Sequence, residues 1–268
     1  MRKEACIYFI VTQAEYLPHR LSLLEKEKEV TRARDAVSKE RRKLPLVEVT
    51  TPYTFTALDE ATGKPKPVTL LDLFAGRPQL IIYHFMFDPE WDAGCPSCSL
   101  LGDTVPPLQH LNSHSTTFVA VSRAPIEKIT AYKKRMGWSF PWVSSSGTSF
   151  NYDFHVTGDD SIAPVQYNFK NKAELESRGQ SYFARGEQPG HSVFIVGGRL
   201  GVGEEGKVYH SYSTYSRGGE QIINTLSWLD MTPLGRQDGV NGVGGLGYKR
   251  HDEYTEEDLK GLDVKIQA

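Results

Sequence analysis

One stretch narrows the possible folds more than any other: Leu80-Ile81-Ile82-Tyr83-His84-Phe85-Met86-Phe87, a short loop, and then Cys95-Pro96-Ser97-Cys98. A run that is apolar apart from His84 describes a strand covered on both faces, as in the middle of a sheet flanked by helices. The loop from Asp88 to Gly94 leads into the Cys-x-x-Cys, and the apolar residues after Cys98 suit a helix. A helix N-terminus offers unpaired N–H groups and the positive end of its dipole, which stabilise a thiolate. Two intervening residues let the second sulfur reach the first, so a mixed disulfide can be resolved within the chain. Cys95 is then the exposed nucleophile and Cys98 the more buried resolving thiol. Pro96 in the first helical turn costs no hydrogen bond. The same spacing also suits a metal site or a structural pair.

The 268 residues suffice for one large domain or two small ones. Only three cysteines occur, Cys6, Cys95 and Cys98, so no disulfide framework holds the fold, and a cytoplasmic location is expected. The formal charge of -2 gives no reason to expect nucleic acid or an anionic membrane as partner. The apolar run Ala5 to Val11 is too short to span a bilayer, has no small-residue cleavage site after it, and is expected to form a short strand or extension. Leu17, Leu21, Leu24, Val30, Ala33 and Val37 place a narrow apolar stripe on a helix from Leu17 to Leu44, stopped by Pro45. That helix is expected to pack on the main domain or on a second copy of the chain, making a homodimer.

Three regions are expected: an N-terminal extension and amphipathic helix over 1–44, the main domain over 45–234, and a C-terminal tail over 235–268 packing on it. Within the domain, Leu46–Val49, Tyr53–Phe55, Leu80–Phe87, Thr117–Ser122 and Phe140–Val143 read as strands. Residues 61–65 read as a turn, and Thr69–Phe74, Pro125–Met136 and Glu220–Leu229 as helices. Residues 157–190 are polar and irregular, as in an insertion. Ser192–Val196 and Lys207–Tyr212 form a hairpin around a Gly-rich turn. These elements predict an α/β fold: a central mixed sheet with helices on both faces.

The stretch Tyr83-His84-Phe85-Met86-Phe87 with Trp91 and Gly94-Cys95-Pro96-Ser97-Cys98 closely resembles a thioredoxin-like family of unknown function, whose members are often labelled dithiol–disulfide oxidoreductases. Further signatures are Val121-Ser122-Arg123-Ala124-Pro125, Tyr132 to Trp138, Phe150 to Phe154, His210 to Gly218, Leu229 to Pro233 and His251-Asp252-Glu253-Tyr254. The likeness runs from about residue 16 to 255. It implies a thioredoxin-like fold elaborated as in peroxiredoxins, with an N-terminal helical extension and an insertion before the last hairpin. It implies no particular activity, because the family's label rests on fold.

The order of elements after Val119 resembles a peroxiredoxin's, but the Pro-x-x-x-Thr/Ser-x-x-Cys expected of one is absent before Cys95. General dithiol exchange, which needs no cofactor and a small-molecule or protein thiol partner, is therefore expected over hydroperoxide reduction. The alternative is copper, held by Cys95, Cys98 and His191 in a carrier or a copper-dependent oxidase or oxygenase, since soft thiolates with one imidazole suit Cu(I). Gly190-His191-Ser192-Val193-Phe194-Ile195 is similar to the late strand of copper-carrying Sco proteins, which would set His191 over the thiols where thioredoxins carry a cis-proline. Candidates for a substrate pocket are Trp91, His84, His155, His210 and Arg217. For His84 a hydrogen-bonded core position is expected over a pocket role, for Arg217 a structural salt bridge competes with binding of a carboxylate or phosphate, and for His251 a clamp on the tail is expected over a place in a pocket.

Overall fold

The computed structural model describes residues 10–199, 201–237 and 247–260; Cys6, the N-terminal run up to Phe9 and much of the Gly-rich tail lie outside the described residues. The chain divides into two compact units, Leu46–Glu253 and the segments on either side of it. The flanking unit contains α1 (Gln13–Arg41), none of whose residues is buried. Its start is set by a capping box: Thr12 Oγ1 accepts from the Glu15 amide while the Glu15 carboxylate accepts from the Thr12 amide at 2.8 Å. The helix thus begins four residues before the apolar stripe at Leu17 and ends at Arg41 rather than Leu44. No helix among the described residues is long and apolar enough to cross a membrane.

The larger unit is built on an eight-stranded mixed sheet. Its strands are β1 (Val47–Glu48), β2 (Thr54–Leu58), β3 (Pro65–Thr69), β4 (Gln79–His84), β5 (Thr116–Ser122), β6 (Trp142–Ser144), β11 (Gly190–Val196) and β12 (Val208–Tyr215). Across the sheet they run β1-β12-β11-β4-β5-β6-β2-β3. β4 pairs in parallel with β5, and β5 with β6, while β11 lies antiparallel to β4 and β12 antiparallel to β11. The inner order β12-β11-β4-β5, with a helix after β4 and another after β12, is the thioredoxin-like topology. Residues 157–187 supply two small ribbons, β7 (Thr157–Gly158) with β10 (Gly186–Glu187) and β8 (Gln166–Tyr167) with β9 (Lys170–Asn171). The helices are α2 (Pro96–Gly102), α3 (Leu108–Asn112), α4 (Ile126–Arg135), α5 (Phe150–Asp153), α6 (Lys172–Ser177) and α7 (Asn224–Asp230), with α8 (Glu256–Leu259) in the flanking unit.

Strand alternation sorts the core into two layers. Tyr83 and Phe85 face α2 and α4, packing with Ala120, Leu101, Ile129, Tyr132 and Trp142. Leu80 and Ile82 face the other way, against Val119, Val121, Phe150, Phe154 and Phe194. Burial of each such side chain is worth roughly 1.5–3 kcal/mol.

Several elements depart from the sequence expectation. β4 ends at His84, three residues early, because past Phe85, whose amide still donates to the Val121 carbonyl, the chain bonds to loops: the Met86 carbonyl accepts from the Cys95 amide and the Phe87 carbonyl from the Ala124 amide. The helix expected over 69–74 is a single 3₁₀ turn, Asp72–Phe74. The helix expected over 220–229 is split into a 3₁₀ segment, Ser216–Ile222, and α7. The segment 157–190 is not irregular throughout, since its apolar residues Val165, Tyr167, Leu175 and Ala184 form a third cluster with Val156 and Tyr215.

Candidate active site

β4 and its irregular continuation deliver the chain to the first turn of α2. Gly94 sits there against aromatic rings: a Cβ at this position would lie 2.6 Å from Phe85 Cε1 and 2.8 Å from Tyr132 Cε1, so the packing requires glycine. Cys95 is the N-cap residue of α2, with Pro96 at the first helical position. Its carbonyl accepts from the Ser99 amide at 2.9 Å and from Ser99 Oγ at 2.8 Å, and Ser99 Oγ also bonds Tyr132 Oη.

The two thiols are unlike. Cys95 is partly exposed; Cys98 is buried, at 2% exposure. The Cys98 thiol first, then the backbone N–H groups of Cys98 and Ser97 and the Arg250 guanidinium, act on the Cys95 sulfur and favour its thiolate. These donors bring the Cys95 pKa down from 9.0 to about 7, against the opposing effect of burial. Burial and the neighbouring Cys95 push Cys98 up. Cys98 Sγ in turn accepts from the Met86 amide at 3.5 Å.

Both cysteines line a cavity of about 240 Å³, together with Tyr83, Gln188, His191 and Arg217. His191 is 6% exposed and stacks on Tyr83, ring centroids 4.7 Å apart and planes 11° from parallel. Neither of its ring nitrogens has a hydrogen-bond partner, and burial holds its pKa down at about 4, so the ring is uncharged at neutral pH. Gly219 gives it room: a Cβ there would stand 3.1 Å from His191 Cε1. Gln188 is 3% exposed; its Nε2 donates to the carbonyls of Tyr182 and Arg185, while its Oε1 has no partner. Arg217, mostly exposed at the rim, is bound to Glu220 through Nε at 3.1 Å and Nη2 at 3.3 Å, the structural salt bridge weighed for it above.

Of the expected site residues, the cavity therefore joins Cys95, Cys98, His191 and Arg217. It does not include Trp91, His84, His155 or His210. His84 has the parity of Leu80 and Ile82, so it points into the opposite core layer, where Nε2 bonds Ser192 Oγ at 2.8 Å. His210 lies on that side too, against Phe154 and Phe194 and bonded to Ser213 Oγ. His155 closes α5 with a positive φ of 55°. Trp91 is held in the loop by its carbonyl, which accepts from Lys128 Nζ. Nor is the copper set assembled: among the described residues no group of three or more His, Cys, Asp or Glu side chains is placed to hold a metal ion.

Three residues of the site escaped the sequence: Gln188, Gly219 and Arg250. Arg250 donates from Nε and Nη2 to the Gly94 carbonyl, at 2.9 and 2.6 Å, and from Nη1 to Glu253 at 2.7 Å. Beside it, His251 Nδ1 lies 2.8 Å from Asp103 Oδ1, the clamp expected of it.

Residues 7–254 match a family of bacterial proteins of unknown function, DUF899. The chain belongs to this family. No curated protein matches it. Among solved structures, a mutant of Xanthomonas campestris peroxiredoxin Q is 15% identical, covering 69% of this chain and 98% of that one at a TM-score of 0.39. The mitochondrial 2-Cys peroxiredoxin of Plasmodium falciparum is 12% identical, with 70% and 97% covered and a TM-score of 0.40. Reduced Prx3 of Vibrio vulnificus in complex with H2O2 is 16% identical, with 65% and 94% covered and a TM-score of 0.39. For this DUF899 member the chemistry has to be argued from the site itself.

Proposed function

We propose that this protein is a thiol oxidoreductase in which Cys95 attacks an oxidised partner and Cys98 resolves the intermediate. The observation that carries this is the division of labour in the pair: a partly exposed thiol pulled down to about 7 beside a buried thiol pushed up, both in the lining of one cavity. Near neutral pH a large share of Cys95 is thiolate, whereas Cys98 keeps its proton until the second step. Attack on a disulfide forms a bond from Cys95 to one sulfur and expels the other as thiolate. Cys98 then loses its proton and attacks Cys95 Sγ, expelling the second thiolate and leaving the internal disulfide. A thiol redox titration should give a reversible two-electron midpoint in the native protein and none in Cys95→Ser. Absence of that midpoint without denaturant ends this account.

A copper-binding role is the second reading. It is supported by the donors, two thiols and an uncharged imidazole lining one cavity, which as a set suit Cu(I). That no three-residue group is assembled among the described residues weighs against it. Copper retained at less than about a tenth of an equivalent after reconstitution and washing would reject it.

A further inference from the structure

We propose that the cavity beside Cys95 is a binding site for a small, uncharged organic molecule with an apolar body and a hydrogen-bond-donating edge. This rests on the thiol-exchange account and names its substrate class: small organic disulfides of that kind rather than charged peptide disulfides.

Size comes first. About 240 Å³ is below the roughly 300–1,000 Å³ typical of pockets for drug-sized ligands, so one ring-sized portion of a molecule fills it. The walls are mainly apolar, supplied by Tyr83, Met86, Leu101, Phe183, Pro189 and Ile223. Charge gives an anion little to hold: at the rim Arg217 and Arg236 are both bound to Glu220, and Arg250 is bound to Glu253.

The polar requirement comes from Gln188 and His191. Buried polar groups are normally hydrogen-bonded, and an unmet one is costly. Gln188 Oε1 can only accept. Its amide is fixed in that sense by Nε2, which donates to two backbone carbonyls, so a rotated amide would lose both bonds. Both His191 nitrogens are unpartnered, and the neutral ring brings one donor and one acceptor. These two residues follow closely on one chain segment and line the same cavity as both sulfurs. A ligand N–H or O–H toward Gln188 answers the one atom there whose requirement is unambiguous.

In the reaction, Cys95 bonds to one sulfur of the bound disulfide and the far half leaves as thiolate, protonated by solvent. Cys98, losing its proton, then displaces the retained half. Two protein thiols are oxidised to one disulfide, and one organic disulfide is reduced to two thiols.

The test uses the full chain and three probes: bis(4-aminophenyl) disulfide, diphenyl disulfide and oxidised glutathione. Each rate of Cys95–Cys98 oxidation is divided by that probe's rate with free cysteine, which removes intrinsic reactivity. The amino-substituted probe should exceed diphenyl disulfide by about fivefold, the worth of one neutral hydrogen bond, and oxidised glutathione by more. In Gln188→Leu the two aryl probes should become equal. Filling the cavity with Ile223→Trp should slow both aryl probes. If all three probes oxidise the pair at equal normalised rates in the native protein, the binding inference is wrong while thiol exchange stands. If none oxidises it, thiol exchange itself is wrong. The native ratios decide the matter even if a variant fails to fold.

Discussion

Arg250 gives the sharpest prediction at the scale of single residues. Its guanidinium holds the Gly94 carbonyl and favours the Cys95 thiolate. Iodoacetamide should alkylate native Cys95 with a pH midpoint of about 7. Arg250→Gln should move that midpoint upward and slow the reaction at pH 6 by about two- to threefold, while Cys98 stays inert in both. An unmoved midpoint would mean that Arg250 only ties the loop. The Cys pair was legible because its chemistry is local: spacing, a preceding buried strand and a helix start. His84 was legible as a hydrogen-bonded core residue, and its parity with Leu80 and Ile82 sets it on their side of the sheet. Gln188, Gly219 and Arg250 carry no local mark at all. Their roles exist only through what the fold sets beside them.

Among elements, the one most in need of support is the run from β10 into the start of β11, since it carries Gln188 and His191. Glu187 anchors it: its side chain, 1% exposed, accepts from Arg123 at 2.8 Å and from Thr157 Oγ1 at 3.1 Å. Arg123→Met would leave a buried carboxylate without its cation and should cost about 3 kcal/mol in urea unfolding. Glu187→Gln, which keeps an acceptor for Thr157, should cost less. Equal losses would show that the ion pair itself matters little. Hidden elements followed a pattern here. β3 was not expected, its first residue falling in the turn over 61–65 and its last in the helix over 69–74; Pro65 and Pro67 mask it, yet it is the edge of the sheet, where a missing N–H is tolerated. β4 was visible from its composition, but its end was not, because loop amides rather than the local sequence decide where the ladder stops.

Acid is the condition to which the whole molecule should be most sensitive. Burial lowers His84 from 6.5 to about 3 and His191 to about 4, and lowers His155 and His210 as well. The stability these neutral rings contribute is complete above pH 6.5, where the unfolded chain is uncharged at histidine too. It is lost as pH falls toward the folded values, because the unfolded chain gains protons first. Between about pH 6.5 and 4, His84 and His191 should each remove roughly 1.4 kcal/mol per pH unit, read from urea midpoints across that range. His191→Phe should flatten the profile by one proton, and an unchanged slope would show that His191 titrates normally.

The grip of Arg250 on the Gly94 carbonyl spans 156 positions of sequence. During synthesis the thiol therefore leaves the ribosome long before Arg250, whose share of its acidity arrives only when the folded chain brings the two together.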